Sequence, residues 1–438
     1  MNTFLKNVLR ILTLFLFASS IKSQTASFDV VNYNAQIEPD IAKKTVKGKV
    51  SVSFIATNLA DIPLNAGVLE IDAVREGRAV LKFEKKDNLL HIHLARAAKL
   101  NENREIEIEY HGTPKFGIKF FPELSQVYTV FSTSQWMPCV DAPDDRATFR
   151  LNLILPKDLK VAANGHFIKQ TKLPNNKISS VWEQKNPIPT YTFGFTAGKF
   201  KEFGERSERI EFRYLTTPQF SLEEMLKIFR DTSDMINFYE SKAGVPYSDK
   251  VYTQVLASGD VEQEMSSFTV ISDSYGRDVL RDEKDIWLGA HELAHQWWGN
   301  MVTNKDWRHF WLNEGIATFM TAAYKEHRFG RKEYLAEIEN SKMRYEKVRD
   351  AGKDKSLVFP DWNKPTSADR TLVYHKGAYI VYLLREKLGD EAFWKGIKEY
   401  TQKFWGKSVT TKDFQNSMEK SSGKDLSPFF NQWVYLQL

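Results

Sequence analysis

The sequence predicts an α+β protein of more than one domain: an N-terminal antiparallel β saddle or sandwich, followed by a mostly helical domain. Three observations lead there. Residues 28 to about 204 repeatedly alternate apolar and polar side chains with period two, the pattern of a sheet with one wet face. That alternation stops near Gly204, and from Asp282 to the end the chain reads as mostly helical. At 438 residues the chain is also too long for one simple core and suits two or three domains.

The first residues belong to neither domain. Lys6 and Arg10 form a positive start, Ile11 to Ala18 a short apolar run, and Ser19, Ser20 and Ser23 supply small residues for cleavage. Residues 1–23 are therefore expected to be a signal peptide cut before Gln24, leaving domains at 24–204 and 205–438. The apolar run falls well short of the ~20 residues of a spanning helix, and no later stretch reaches that length. The expected destination is outside the cytoplasm, periplasmic or secreted, without stable membrane insertion. Loss of Lys6, Arg10 and Lys22 takes the net charge from +5 to +2, which gives no reason to expect nucleic acid as a partner. Composition is that of an ordinary globular protein, 42% hydrophobic and 27% charged. Cys139 is the single cysteine, so no intramolecular disulfide forms and core packing and metal must hold the fold.

In chain order, the clearest strand patterns are Lys47 to Ile55, Arg104 to Tyr110 and Phe149 to Leu155, with turn clusters such as Leu173 to Asn176 between strands. His91 and His93 share one face of a strand but lack a third ligand, so a solvated strand is the better reading there. Ser221 and Glu224 have capping-box spacing, with Phe220 and Met225 placed as a hydrophobic staple, and predict a helix start. Closing helices are expected around Tyr379–Leu388 and Asp413–Lys420.

The segment Trp287 to Met320 carries the chemistry. His291 and His295 are four residues apart, so on a helix both imidazoles leave one face and can bind one cation. Glu292 projects beside them, placed to act on a water without being a ligand. A third ligand that leaves one position open is supplied by Glu314, after 18 intervening residues, on a second helix starting near Leu312. One metal ion per chain follows, and zinc suits the donors.

HELAH, 18 residues and then Glu within WLNEG resembles the gluzincin aminopeptidases of the aminopeptidase N and leukotriene hydrolase family. Met137 to Phe149 is similar to the family's PCxDxPxxKAxF, and Tyr374 to Gly377 (YHKG) to its YxKG. The resemblance covers nearly the whole mature chain. It implies a thermolysin-like catalytic domain and hydrolysis of the first peptide bond of peptides with a free N-terminus. It also implies Glu292 as general base and acid, and Tyr374 as donor to the oxyanion. The family binds the substrate ammonium through the Glu of a GAMEN motif. Here two registers are possible: Val261 to Met265 (VEQEM) offers Glu264, and Gly259 to Gln263 (GDVEQ) offers Glu262. In an extended strand both carboxylates would face the same way.

Longer family members continue into a helical C-terminal domain; with the sequence ending at Leu438, a short form without that domain is expected. The epoxide chemistry of leukotriene hydrolase is not expected, because Pro365, Thr366 and Asp369 occupy the region before Tyr374. The rival enzymatic reading is an endopeptidase or dipeptide-releasing enzyme. The rival outside enzymes is a binding protein with a structural zinc, against which Glu292 and Tyr374 count.

Overall fold

The computed structural model describes residues 28–56, 59–259, 262–359, 361–362 and 364–436, and the expected signal peptide lies outside the described residues. By compactness the chain divides into two units. The first runs to Leu222 and includes Asp249–Asp273; the second comprises Glu223–Ser248 and the chain from Ser274 on.

In the first unit an eight-stranded sheet is built around Phe28–Asp40, Thr45–Ala56, Glu102–Gly112, Arg146–Pro156 and Lys177–Pro189. Along Phe28–Asp40, Thr45–Ala56, Glu102–Gly112 and Arg146–Pro156, burial alternates as the sequence pattern requires. Ile37, Val50, Val52, Ile106, Ile108 and Leu153 point into one core. One pairing in this sheet departs from the antiparallel expectation. Phe28–Asp40 and Arg146–Pro156 run parallel, Ile37 opposite Leu153. A parallel pair needs a long crossover, and the chain between these strands provides one. A three-stranded and a four-stranded sheet complete this part. His91 and His93 lie on the strand Leu89–His93; His93 is exposed and pairs with Asp61. Cys139 is buried, and burial pushes its thiol up.

Gly204 falls inside the strand Lys201–Arg206, which pairs with Glu211–Thr216. That strand in turn runs parallel to Val251–Ala257, itself parallel to Phe268–Ser272. A continuous hydrogen-bond ladder is why compactness carries the first unit beyond Gly204 and draws Asp249–Asp273 into it.

The second unit is helical: α1 (Leu222–Phe229), α2 (Thr232–Ala243), α3 (Asp273–Arg281), α4 (Trp287–Ala294) and α5 (Trp311–Phe329) come first. There follow α6 (Arg331–Asp350), α7 (Ser367–Thr371), a π-helical turn (Leu372–Lys376), α8 (Gly377–Leu388), α9 (Asp390–Phe404), α10 (Thr411–Ser422) and α11 (Ser427–Phe430). α1 starts directly after Ser221, and Phe220 and Met225 are both buried. α5 is buried without interruption from Trp311 to Lys325, the mark of a helix enclosed on all sides. The expected closing helices lie within α8 and α10, the latter opened by a Thr410/Asp413 capping box.

Candidate metal centre

α4 brings His291 and Glu292 to its last turn, and His295 caps its end in helical conformation. Trp297 and Trp298 follow, and both are fully buried. The Tyr239 hydroxyl donates to the carbonyl of Ala290 (2.9 Å), the Trp297 indole to that of Val245 (3.2 Å), and the Trp298 indole to Thr401 Oγ1 (3.0 Å). Gly299 then turns the chain with φ +140°; a Cβ there would lie 2.3 Å from Asn313 Oδ1 and 3.0 Å from His295 Nδ1. Glu314 comes from the first turn of α5.

The three donors converge. His291 Nε2 is 3.0 Å from His295 Nε2 and 3.2 Å from Glu314 Oε2, and His295 Nε2 is 3.5 Å from the same oxygen. A tetrahedral ion with bonds of ~2.0–2.1 Å spaces its ligand atoms by ~3.3 Å, so the donor set fits zinc. Protonation agrees. His295 Nδ1 lies 3.1 Å from the carbonyl of Trp298, which can only accept, so the neutral ring carries its proton there and keeps Nε2 bare. Burial and the neighbouring His295 push His291 down to about 4, against the pull of Glu314. Burial alone would raise the Glu314 carboxyl, but His295 and His291 outweigh it and hold it down to about 2. A cation needs both imidazoles neutral and Glu314 ionised, so its binding displaces any proton that the histidines share with that carboxylate. Among the described residues this is the one group of three with such spacing.

Glu292 is buried between the two histidines in sequence. Tyr374 lies on the π-helical turn, its ring centroid 5.7 Å from that of His291 and the planes 23° apart. Such turns recur at functional sites because the extra residue re-aims a side chain. Two contacts hold this turn. A Cβ on Gly315 would lie 2.9 Å from Gly377 Cα, so the glycines of WLNEG and YHKG let α5 and α8 touch backbone to backbone. Lys376 is fully buried, donating to Asp354 (2.7 Å) and to the carbonyl of Lys355 (2.9 Å).

Glu264 and Glu262 belong to the first unit. The expected extended strand is reduced to a single bridge between Gln263 and Val270. Glu264 is buried and Glu262 half-buried. Gln263 accepts from the backbone N–H of Phe131 (2.8 Å) and donates to Glu264 Oε2 (2.7 Å), so it fixes that carboxylate.

Sequence reasoning missed Trp287. Its indole stacks on His291, centroids 4.6 Å apart and planes 12° from parallel. The signal was present, a tryptophan one helical turn before the histidine.

Residues 229–433 match the model of the peptidase family M1 domain, and residues 30–192 that of the peptidase M1 N-terminal domain. The chain belongs to peptidase family M1. The two matches fall on either side of the boundary expected near Gly204. Relatives include "Probable aminopeptidase 2" of Sulfurisphaera tokodaii, 26% identical over 92% of this chain and 53% of that protein. "Leucine aminopeptidase 2" of Aspergillus oryzae is 27% identical over 92% of this chain and 67% of its own length. "Aminopeptidase N" of Lactococcus lactis is 28% identical over 95% of this chain and 52% of its own length. The chain thus spans about half the length of the Sulfurisphaera and Lactococcus proteins. An M1 zinc metallopeptidase from Deinococcus radiodurans shares the fold, with TM-score 0.81, 22% identity, and coverage of 93% of this chain and 94% of that one.

Proposed function

We propose that this protein is a zinc-dependent aminopeptidase that hydrolyses the first peptide bond of peptides with a free N-terminus. The observation that carries the proposal is the convergence of His291, His295 and Glu314, with the Tyr374 ring beside His291. In this reading His291, His295 and Glu314 hold one zinc ion. When bound, the zinc supplies Lewis-acid polarisation and a lowered water pKa. Glu292 takes a proton from the attacking water and returns it to the leaving amine. The Tyr374 hydroxyl donates to the oxyanion that forms at the scissile carbonyl. Glu264, steadied by Gln263, receives the substrate ammonium, and Glu262 contributes less. Residues 24–204 then form the N-terminal β domain and 205–438 the catalytic domain.

The test is a panel of aminoacyl reporter amides and free peptides, with and without chelator. Turnover of free-amine substrates that chelation abolishes and zinc restores is expected. If N-acetylated and free peptides are cut equally well, the endopeptidase reading replaces this one.

Export is the second part of the proposal, with residues 1–23 as the cleaved signal. The mature chain should begin at Gln24 in the extracytoplasmic fraction. Among the described residues no helix is long and apolar enough to cross a membrane.

A further inference from the structure

We propose that Arg344 is a receptor for a substrate carboxylate on the leaving-group side of the scissile bond. This would favour short peptides with a free C-terminus. The inference rests on the aminopeptidase reading above. Arg344 stands on α6, three residues after Ser341 and directly before Tyr345. Ser341 Oγ is 3.3 Å from His375 Nδ1, and Lys376 Nζ lies 5.4 Å from the ring centre of Tyr345. Residues three and four apart share a helix face, so Arg344 is carried toward the π-helical turn that bears Tyr374. Arg344 is half-buried. Its charge reaches His375, the neighbour of Tyr374, where it adds to burial in keeping that imidazole neutral.

A partly desolvated cation is costly unless an anion meets it. Two other arginines of this unit have one: Arg328 pairs with Asp231 (2.9 Å), and Arg385 with Asp390 (2.7 Å) and Glu326 (2.6 Å). Among the described residues Arg344 has no carboxylate within 4.0 Å. Its hydrogen bond is from Nε to Asn340 Oδ1 (3.2 Å). Glu337, whose charge it feels, is paired with Lys325. With Nε occupied, Nη1 and Nη2 remain as the two-nitrogen edge that grips a carboxylate side-on, and neither is sealed from water without a partner. In a peptide cut after its first residue, a carboxylate other than that residue's own side chain lies in the departing product. Two sources share this chemistry, the C-terminal carboxylate and an acidic side chain.

The experiment compares kcat/KM for Leu-Gly-Gly with its C-terminal amide, in wild type and in Arg344→Gln and Arg344→Lys. Wild type is expected to prefer the free acid by ~10-fold or more, mainly through KM. Arg344→Gln should lose the preference and Arg344→Lys keep part of it. A second pair, Leu-Glu-Gly amide against Leu-Gln-Gly amide, assigns the recognised carboxylate to a side chain if the preference appears there instead. Equal turnover within both pairs by wild type, or a preference that survives in Arg344→Gln, overturns the proposal. Failure of the aminopeptidase reading looks different, since no leucine is then released from any peptide. In that event calorimetric affinities of the same pairs for wild type and Arg344→Gln decide between the same outcomes.

Discussion

At His295 one hydrogen bond decides which nitrogen is free for metal. Because the Trp298 carbonyl takes the Nδ1 proton, Nε2 faces His291 and Glu314 with its lone pair. His291→Ala, His295→Ala and Glu314→Ala should each sharply lower zinc content, read by metal analysis of the purified proteins. Glu292→Gln should retain zinc while turnover falls ~10²-fold or more, because only the proton carrier is lost. Near-normal turnover in that variant would remove Glu292 from the mechanism. For Tyr374→Phe, kcat should fall ~10²-fold with KM little changed, since the bond to the oxyanion matters mainly in the transition state. A change confined to KM would mean that the ring only helps to hold substrate. Glu264→Gln should lower kcat/KM on free-amine peptides by roughly 10- to 150-fold, the value of a charge-assisted bond. Glu262→Gln should do less, because Glu264 is the carboxylate that Gln263 pins. The reverse order would favour the other register.

Among the elements, α5 and the α8 region decide how Glu314 and Tyr374 approach the same place. Their contact is glycine on glycine, Gly315 against Gly377, with Val373 carbonyl oxygen 3.0 Å from a Cβ at 315. Backbone atoms cannot swing aside as a flexible side chain can. Gly315→Ala should therefore destabilise by ~1–3 kcal/mol, the usual range for overpacking, and should also lower kcat by displacing Tyr374 relative to the zinc ligands. Urea unfolding and steady-state kinetics check the two effects separately. Unchanged stability would mean that the helices separate without cost and that the contact is incidental.

On the scale of the whole chain, the second unit has its own reporter. Nine of the eleven tryptophans (287, 297, 298, 307, 311, 362, 394, 405 and 433) lie in the second unit, so tryptophan fluorescence follows that unit's unfolding. A metal bound only by the folded state stabilises it by mass action, ~2.7 kcal/mol at a free concentration 100 times Kd. Chelation should lower the fluorescence-detected Tm and zinc should restore it; an unmoved Tm would argue against a tightly held ion. The metal-free protein should also be acid-sensitive. In the fold His291 is held down to about 4 and His375 to about 3, both below the ~6.5 of an unfolded chain. The unfolded state thus binds more protons in that window. The two histidines' contribution is intact above ~6.5 and is lost as pH falls toward those values. Substituting His375 by Asn should flatten the fall in urea midpoint between pH 8 and pH 5; an identical slope would show that His375 takes no part in it.

What the sequence by itself determined is what short-range periodicity can encode. Period-two alternation specified the buried face of the long strands, and the four-residue step from His291 to His295 specified a shared helix face. The 18-residue interval to Glu314 and the YHKG motif pointed to a family, and it is the family that the peptidase M1 matches then bore out. Tertiary structure alone decided the rest, because those features join residues whose separation in sequence carries no phase. The parallel pairing of Phe28–Asp40 with Arg146–Pro156 needs the whole intervening chain as its crossover. The compact unit overruns Gly204 because strands Glu211–Thr216 and Val251–Ala257 meet edge to edge. The glycines at 315 and 377 become a contact, and Lys376 finds Asp354, only once α5, α6 and α8 have packed. No local pattern distinguishes Arg344 from a solvated helical arginine; its missing carboxylate is a property of the folded surroundings.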